Sequence, residues 1–294
     1  MTYTEVARRF LLSRIASGCR KSYVSLARRV IAAFVKHVAV PLPSQLEPHH
    51  VQEFLAERLD AHKPSTVRSE RGIILSCLTW CCDQGFLPER DWHKTVPQVR
   101  TEMIEAKVLT VDQCEQLLAA AECLAYRCDY TKSMALAWVY VLLDTGLRVS
   151  ELVNLRLDDC DLSARVLRVS AESKTRRERH VWYSTKTAAR LKDYLRRRKS
   201  NAEWLWVTTR GSRPSRARVL QYVKHLGGAV GMGWLTVHTF RHTCATMLLR
   251  NGMSLDGVRV VLGHTQVRTT QRYLHLLKED VEKQYKAASP IQGL

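Results

Sequence analysis

The chain has 294 residues, 46% of them hydrophobic, which argues against a disordered polymer and provides for two domains of ordinary size. Lysine and arginine number 46 against 28 acids, a formal charge of +18, so the expected partner is a polyanion and nucleic acid comes first. Nine cysteines without a repeated C-x-x-C spacing argue against a disulfide framework and a zinc site, and fit reduced thiols.

Residues 1–100 hold 15 bases and 9 acids, leaving 31 and 19 for the remainder, so both halves share the basic surplus. In this first stretch the pattern predicts helices over about 3–16 and 20–38, then a loop marked by Pro41, Pro43 and Pro48. A third helix near 48–60 carries Val51, Phe54, Leu55 and Leu59 at helical spacing, and a fourth follows Pro64 and Ser65 and ends near Gly85. Cys77, Cys81 and Cys82 fall on its apolar face, where free cysteine behaves as a small hydrophobe. Together these make a four-helix domain over 1–100. The segment from Gly85 to Lys107, with Pro88 and Pro97, shows no clear periodicity, and 101–108 is expected to be a linker.

Residues 109–294 then form a second domain. Thr110 with Gln113 matches a capping box ahead of Leu117 and Leu118. Met134, Trp138, Val141 and Leu142 predict a helix over about 131–145 that Gly146 ends in a left-handed conformation, leaving Arg148 in the turn. Val166–Ser170 and Arg179–Tyr183 are short β-favouring runs, a hairpin with Lys174 near its tip. From residue 187 the pattern is helical again, with Ala188, Leu191 and Leu195, then Val219, Tyr222, Val223 and Leu226. The fold class expected is mainly α with a small antiparallel β-sheet. No run reaches the roughly 18 apolar residues of a membrane span, and the N-terminus, with Glu5, Arg8 and Arg9, lacks a signal-peptide core, so a cytoplasmic protein without membrane contact is expected.

Breaking a phosphodiester without a metal requires cations that meet charge building on the non-bridging oxygens, and guanidinium does this bidentately at any working pH. Arg148 and Arg241 are the candidates for that clamp. His238 stands three residues before Arg241 on one helix face, read as opposite the apolar Phe240, Cys244 and Met247, and its imidazole suits general acid and base work. Tyr273 is a candidate nucleophile whose phenol, with a solution pKa of about 10, needs a base or a stabilised oxyanion. The alkoxide leaving group needs a proton donor, a role for the Lys174 ammonium, while Arg176, Arg177 and Arg179 read as phosphate or groove contacts. Asp158, Asp159 and Asp161 read as turn formers ahead of the strand at Val166 rather than as metal ligands. The chain has no G-x-x-x-x-G-K-[ST] loop, and no cofactor is implied.

The segments Thr145-Gly146-Leu147-Arg148-Val149-Ser150-Glu151-Leu152, His238-Thr239-Phe240-Arg241-His242, Leu262-Gly263-His264 and Thr269-Thr270-Gln271-Arg272-Tyr273 resemble, in this order, the tyrosine recombinase or phage integrase family. The resemblance covers about Leu109–His275. The N-terminal unit resembles the family's helical core-binding (SAM-like) domain only in size and helicity. By resemblance Arg148, Lys174, His238, Arg241, His264 and Tyr273 take the six catalytic positions, with Tyr273 as nucleophile and His264 hydrogen-bonding the scissile phosphate. It also implies site-specific recombination through a 3′-phosphotyrosine, in integration, excision or resolution. Double-stranded DNA with inverted half-sites, a dimer on each core site, a tetramer in synapsis, a C-shaped clamp around DNA and accessory DNA-binding proteins are implied as partners and assemblies. Phe240 departs from the leucine of many relatives, a change of packing. The chain looks like a simple recombinase, similar to the Xer group or to transposon-encoded enzymes. Its alternatives are a type IB topoisomerase or telomere resolvase with the same cleavage chemistry, and a non-catalytic DNA-binding relative. Past Tyr273, the stripe Leu277, Val281, Tyr285 and Ala288 forms an amphipathic end, expected to dock either on its own domain or on a neighbouring protomer.

Overall fold

The computed structural model describes residues 2–38, 43–101, 107–170 and 178–263, and the chain divides into two compact units, 1–104 and 105–294. The first unit carries α1 (Tyr3–Ala16), α2 (Lys21–His37), α3 (Pro48–Ala61) and α4 (Pro64–Asp83). Proline opens α3 and α4 in the first turn, where its missing N–H would have had no partner. Phe10 of α1, Ile31 and Phe34 of α2, Val51 and Phe54 of α3, and Ile74 and Leu78 of α4 close a single core. A further one-turn helix, α5 (Trp92–Thr95), lies in the stretch without periodicity, since four residues are too few to show a period. It is fixed locally: Asp91 caps it through the His93 and Lys94 N–H groups, and Trp92 inserts into the core. Arg71 pins the residues that follow by donating to the Val96 and Pro97 carbonyls.

The second unit is built around α7 (Asp129–Thr145), with Met134, Leu136, Trp138, Val139, Val141 and Leu142 buried on every side. A helix apolar all round must be covered all round, and α6 (Val111–Cys123), α9 (Thr185–Arg197), α10 (Arg216–Ala229) and α11 (Val237–Arg250) pack against it. The short α8 (Val149–Asn154) follows α7, and α12 (Leu255–Leu262) packs on α11. The expected capping box opens α6: Thr110 Oγ1 accepts the Gln113 N–H at 3.2 Å and Gln113 Oε1 accepts the Thr110 N–H at 3.0 Å. At the other end of α7, Asp144 accepts from the Ser184 N–H and the Thr187 hydroxyl, both at 2.6 Å, and so ties the end of α7 to the start of α9.

The sheet is antiparallel, in the order β1 (Cys160–Asp161), β2 (Val166–Val169) and β3 (Arg179–Trp182), with Val166 opposite Trp182 and Val169 opposite Arg179. β1 was not anticipated, because two residues show no alternation. Leu167, Val169 and Val181 face the core, while His180 and Trp182 face solvent. Two of the three acids shape the turns here. Asp159 accepts from the Arg156 N–H and the Arg168 guanidinium, and Asp161 accepts from the Ser163 and Ala164 N–H groups. All nine cysteines are free thiols. Among the described residues no helix is long and apolar enough to cross a membrane.

Candidate active site

The end of α7 sets the geometry. Gly146 has φ +61°, the left-handed cap, and its N–H donates to the Leu142 carbonyl at 3.1 Å. A β-carbon at this position would meet Leu262 Cδ2 at 2.6 Å and Cys244 Cβ and Sγ at 3.3 Å, so both conformation and space require glycine. The turn delivers Arg148 as the N-cap residue of α8, with φ −71° and ψ 151°.

Glu151, in the first turn of α8, reaches back to this arginine: Oε2 accepts the Arg148 N–H at 2.9 Å and Oε1 accepts from Arg148 Nη1 at 2.9 Å. A second guanidinium closes on the same carboxylate. Arg179 donates from Nη1 to Oε1 at 3.2 Å and from Nη2 to Oε2 at 2.9 Å, and its Nε donates to the Val261 carbonyl at 2.9 Å. The Glu151 side chain is 2% exposed and receives four donors, as many as a carboxylate has lone-pair sites. Burial pushes its pKa up, but the Arg179 hydrogen bonds and charge, with Arg148 behind them, pull it down to about 2, so the group stays ionised.

Arg241, on α11, is buried to 4% exposure. Its Nη1 donates to the Gly146 carbonyl at 2.8 Å and its Nη2 to the Leu262 carbonyl at 2.5 Å. These bonds bind the turn that carries Arg148 to the end of α12, whose cap Gly263 has φ +64°. Arg241 and Arg148 therefore converge on the Gly146 turn, Arg241 bonded to its carbonyl and Arg148 two residues along the chain with 25% of its side chain exposed. His238 lies in the first turn of α11, exposed, and one turn before Arg241.

The expectation that Arg241 lies opposite Cys244 is corrected. Cys244 Sγ donates to the Asp144 carbonyl while Arg241 donates to that of Gly146, so both face the end of α7. A buried guanidinium is compatible with that face because exposed helix-end carbonyls are there to receive it. Arg179 also departs from expectation. Its side chain is only 11% exposed and is engaged by Glu151 and Val261, so it is an internal strut rather than a groove contact. Strand alternation carried the signal, since Arg179 shares the inward parity of the buried Val181. Glu151 carries no expected role from the sequence, although the i,i+3 spacing from an N-cap residue is the one from which a glutamate reaches back. Lys174, Arg176, Arg177, His264 and Tyr273 lie outside the described residues, as does the stripe that follows Tyr273.

The model of the phage integrase family matches residues 107–280. The chain belongs to that family. This recombinase is 31% identical over 293 residues to the tyrosine recombinase XerD of Listeria monocytogenes, an alignment spanning 92% of this chain and 94% of that one. It is 28% identical over 260 residues to the tyrosine recombinase XerC of Thermodesulfovibrio yellowstonii, covering 85% of this chain and 84% of the relative. Its fold resembles that of the XerH site-specific recombinase bound to palindromic difH substrate, with a TM-score of 0.78 at 17% identity over 92% of this chain and 81% of the other. The protein is accordingly an enzyme of site-specific DNA recombination, a tyrosine-type strand transferase of mainly helical fold with a small antiparallel sheet.

Proposed function

We propose that the recombinase cleaves one DNA strand through Tyr273, holds the broken end as a 3′-phosphotyrosine and rejoins it to a different 5′-hydroxyl. The reading is carried by one observation: in a chain of this family, Arg148 and Arg241 are fixed about the single Gly146 turn. In the first step the Tyr273 phenolic oxygen forms a bond to phosphorus as the bond to the 5′-oxygen breaks. His238 takes the phenol proton and Lys174 supplies one to the departing 5′-oxygen. Arg148 and Arg241 meet the charge growing on the non-bridging oxygens, and His264 donates a hydrogen bond to the same phosphate. The second step reverses the first with a new 5′-hydroxyl as nucleophile. Because the phosphodiester energy is stored in the tyrosyl link, the cycle needs no external energy source.

Arg176 and Arg177 serve as phosphate contacts beside Lys174 in this scheme, and the N-terminal helical domain, residues 1–100, grips the duplex as a core-binding domain. The substrate is double-stranded DNA with inverted half-sites, bound by two protomers and brought into synapsis as a tetramer. The XerH structure in complex with a palindromic substrate supports the two-fold arrangement. The enzyme works in the compartment that holds its DNA, the cytoplasm.

The test uses a pool of nicked suicide duplexes with randomised inverted arms, from which covalent SDS-resistant adducts are recovered and sequenced to define the core site. Wild-type protein yields adduct on the selected site, and Tyr273→Phe yields none. Equal adduct from that variant would refute the assignment.

A further inference from the structure

Two guanidiniums of the proposed clamp are anchored separately, Arg148 to Glu151 and Arg241 to the end of α12, and a third side chain touches both anchorages. Arg179 donates two bonds to Glu151, at 3.2 and 2.9 Å, and one to the carbonyl of Val261, at 2.9 Å; the next carbonyl, that of Leu262, is the one Arg241 holds. The space around Arg179 is closed. A β-carbon on Gly263 would lie 2.9 Å from its Nη1 and 3.0 Å from its Cζ and Nε, so the residue that precedes His264 is kept bare beside it.

We propose that Arg179 is a positioning residue for strand cleavage: through Glu151 it aims the Arg148 guanidinium, and through Val261 it sets the end of α12 against which Arg241 is seated. The inference rests on the strand-transfer reading above and deepens it. Its charge logic is specific. Glu151 paired with Arg148 alone would neutralise that half of the clamp and draw the guanidinium down onto the carboxylate. With Arg179 sharing both oxygens, the trio keeps one net positive charge, and Arg148, a quarter exposed, offers it to an incoming phosphate. A guanidinium displaced by about 1 Å from a developing charge costs about 100-fold in rate, and β3 supplies the strut that prevents it.

The experiment measures single-turnover cleavage of the selected nicked duplex at saturating protein, with DNA affinity and thermal unfolding measured alongside. Arg179→Gln is expected to bind the duplex within about twofold of wild type and to cleave about 100-fold more slowly. Arg179→Lys keeps the charge and most of the volume but cannot make the fork, and is expected to cleave about tenfold more slowly. Combined with Arg148→Ala, each substitution should slow cleavage by much less than it does with Arg148 present, because one of the two guanidiniums it positions is gone. A duplex with a methylphosphonate at the scissile position, which lacks the non-bridging charge, should shrink the Arg179→Gln deficit to a few-fold.

Wild-type cleavage rates in both variants would overturn the inference, as would equal slowing in the presence and absence of Arg148. Loss of cooperative unfolding in both variants would also overturn it, by assigning Arg179 to the fold alone. Absence of any Tyr273-dependent adduct from wild-type protein would instead remove the strand-transfer reading, and this inference with it.

Discussion

Glu151 is the residue on which burial and charge compete most openly. Desolvation of a carboxylate 2% exposed would favour its protonated form, yet two guanidiniums and a backbone N–H hold its pKa at about 2, below the ordinary 4.5. The folded pKa is depressed, so its stabilising contribution is complete above about pH 4.5 and is lost as the pH falls towards about 2. At neutral pH that contribution is of the order of 3 kcal/mol. Urea unfolding at pH 7 and pH 3 should show wild type losing stability between the two, and Glu151→Gln, less stable at pH 7, losing less. An identical pH dependence would mean that the carboxylate is not the titrating group. Gly146 makes the complementary point about space. With φ +61° and Leu262 Cδ2 2.6 Å from the place of a β-carbon, Gly146→Ala is expected to destabilise the second unit by about 2–4 kcal/mol. Thermal denaturation would register this as a fall in Tm, and an unchanged Tm would show that the turn relaxes freely.

Helices show how far local signals carry. Proline at the starts of α3 and α4, Thr110 with Gln113 at α6, and Gly146 after α7 are punctuation with a backbone reason, and each boundary falls where the chemistry of the cap requires it. Thr110→Ala removes the hydroxyl that accepts the Gln113 N–H at 3.2 Å and should cost about 1 kcal/mol by chemical denaturation. Thr110→Ser, which keeps the acceptor, should cost much less; equal losses would point to lost methyl packing instead. Short elements escaped because periodicity needs length: α5 has four residues and β1 has two. Arg179 departs from expectation for a different reason. As part of a basic run it counts as solvated charge, and only the parity of β3 and the presence of Glu151 across the site turn it inward.

At the scale of the molecule, the +18 charge bears on how DNA is met. Each phosphate neutralised by a lysine or arginine releases condensed counterions, so affinity for a random duplex should fall steeply as salt rises. Between about 50 and about 200 mM, a loss of about 10³-fold or more is expected, readable by fluorescence anisotropy. A flat response would leave the charge surplus as a device for solubility.

What the sequence determined by itself was whatever is written locally or compositionally: the helical class, the caps, and the set of residue types that belongs to this family. The tertiary structure decided which of those residues meet. Arg148, Arg179 and Arg241 are scattered over nearly a hundred positions, and beyond the i,i+3 step from Arg148 to Glu151 no period or spacing links the four residues. They converge because a left-handed turn at Gly146 and the end of α12 leave carbonyl groups, and a buried carboxylate, that only guanidinium donors from distant elements can satisfy.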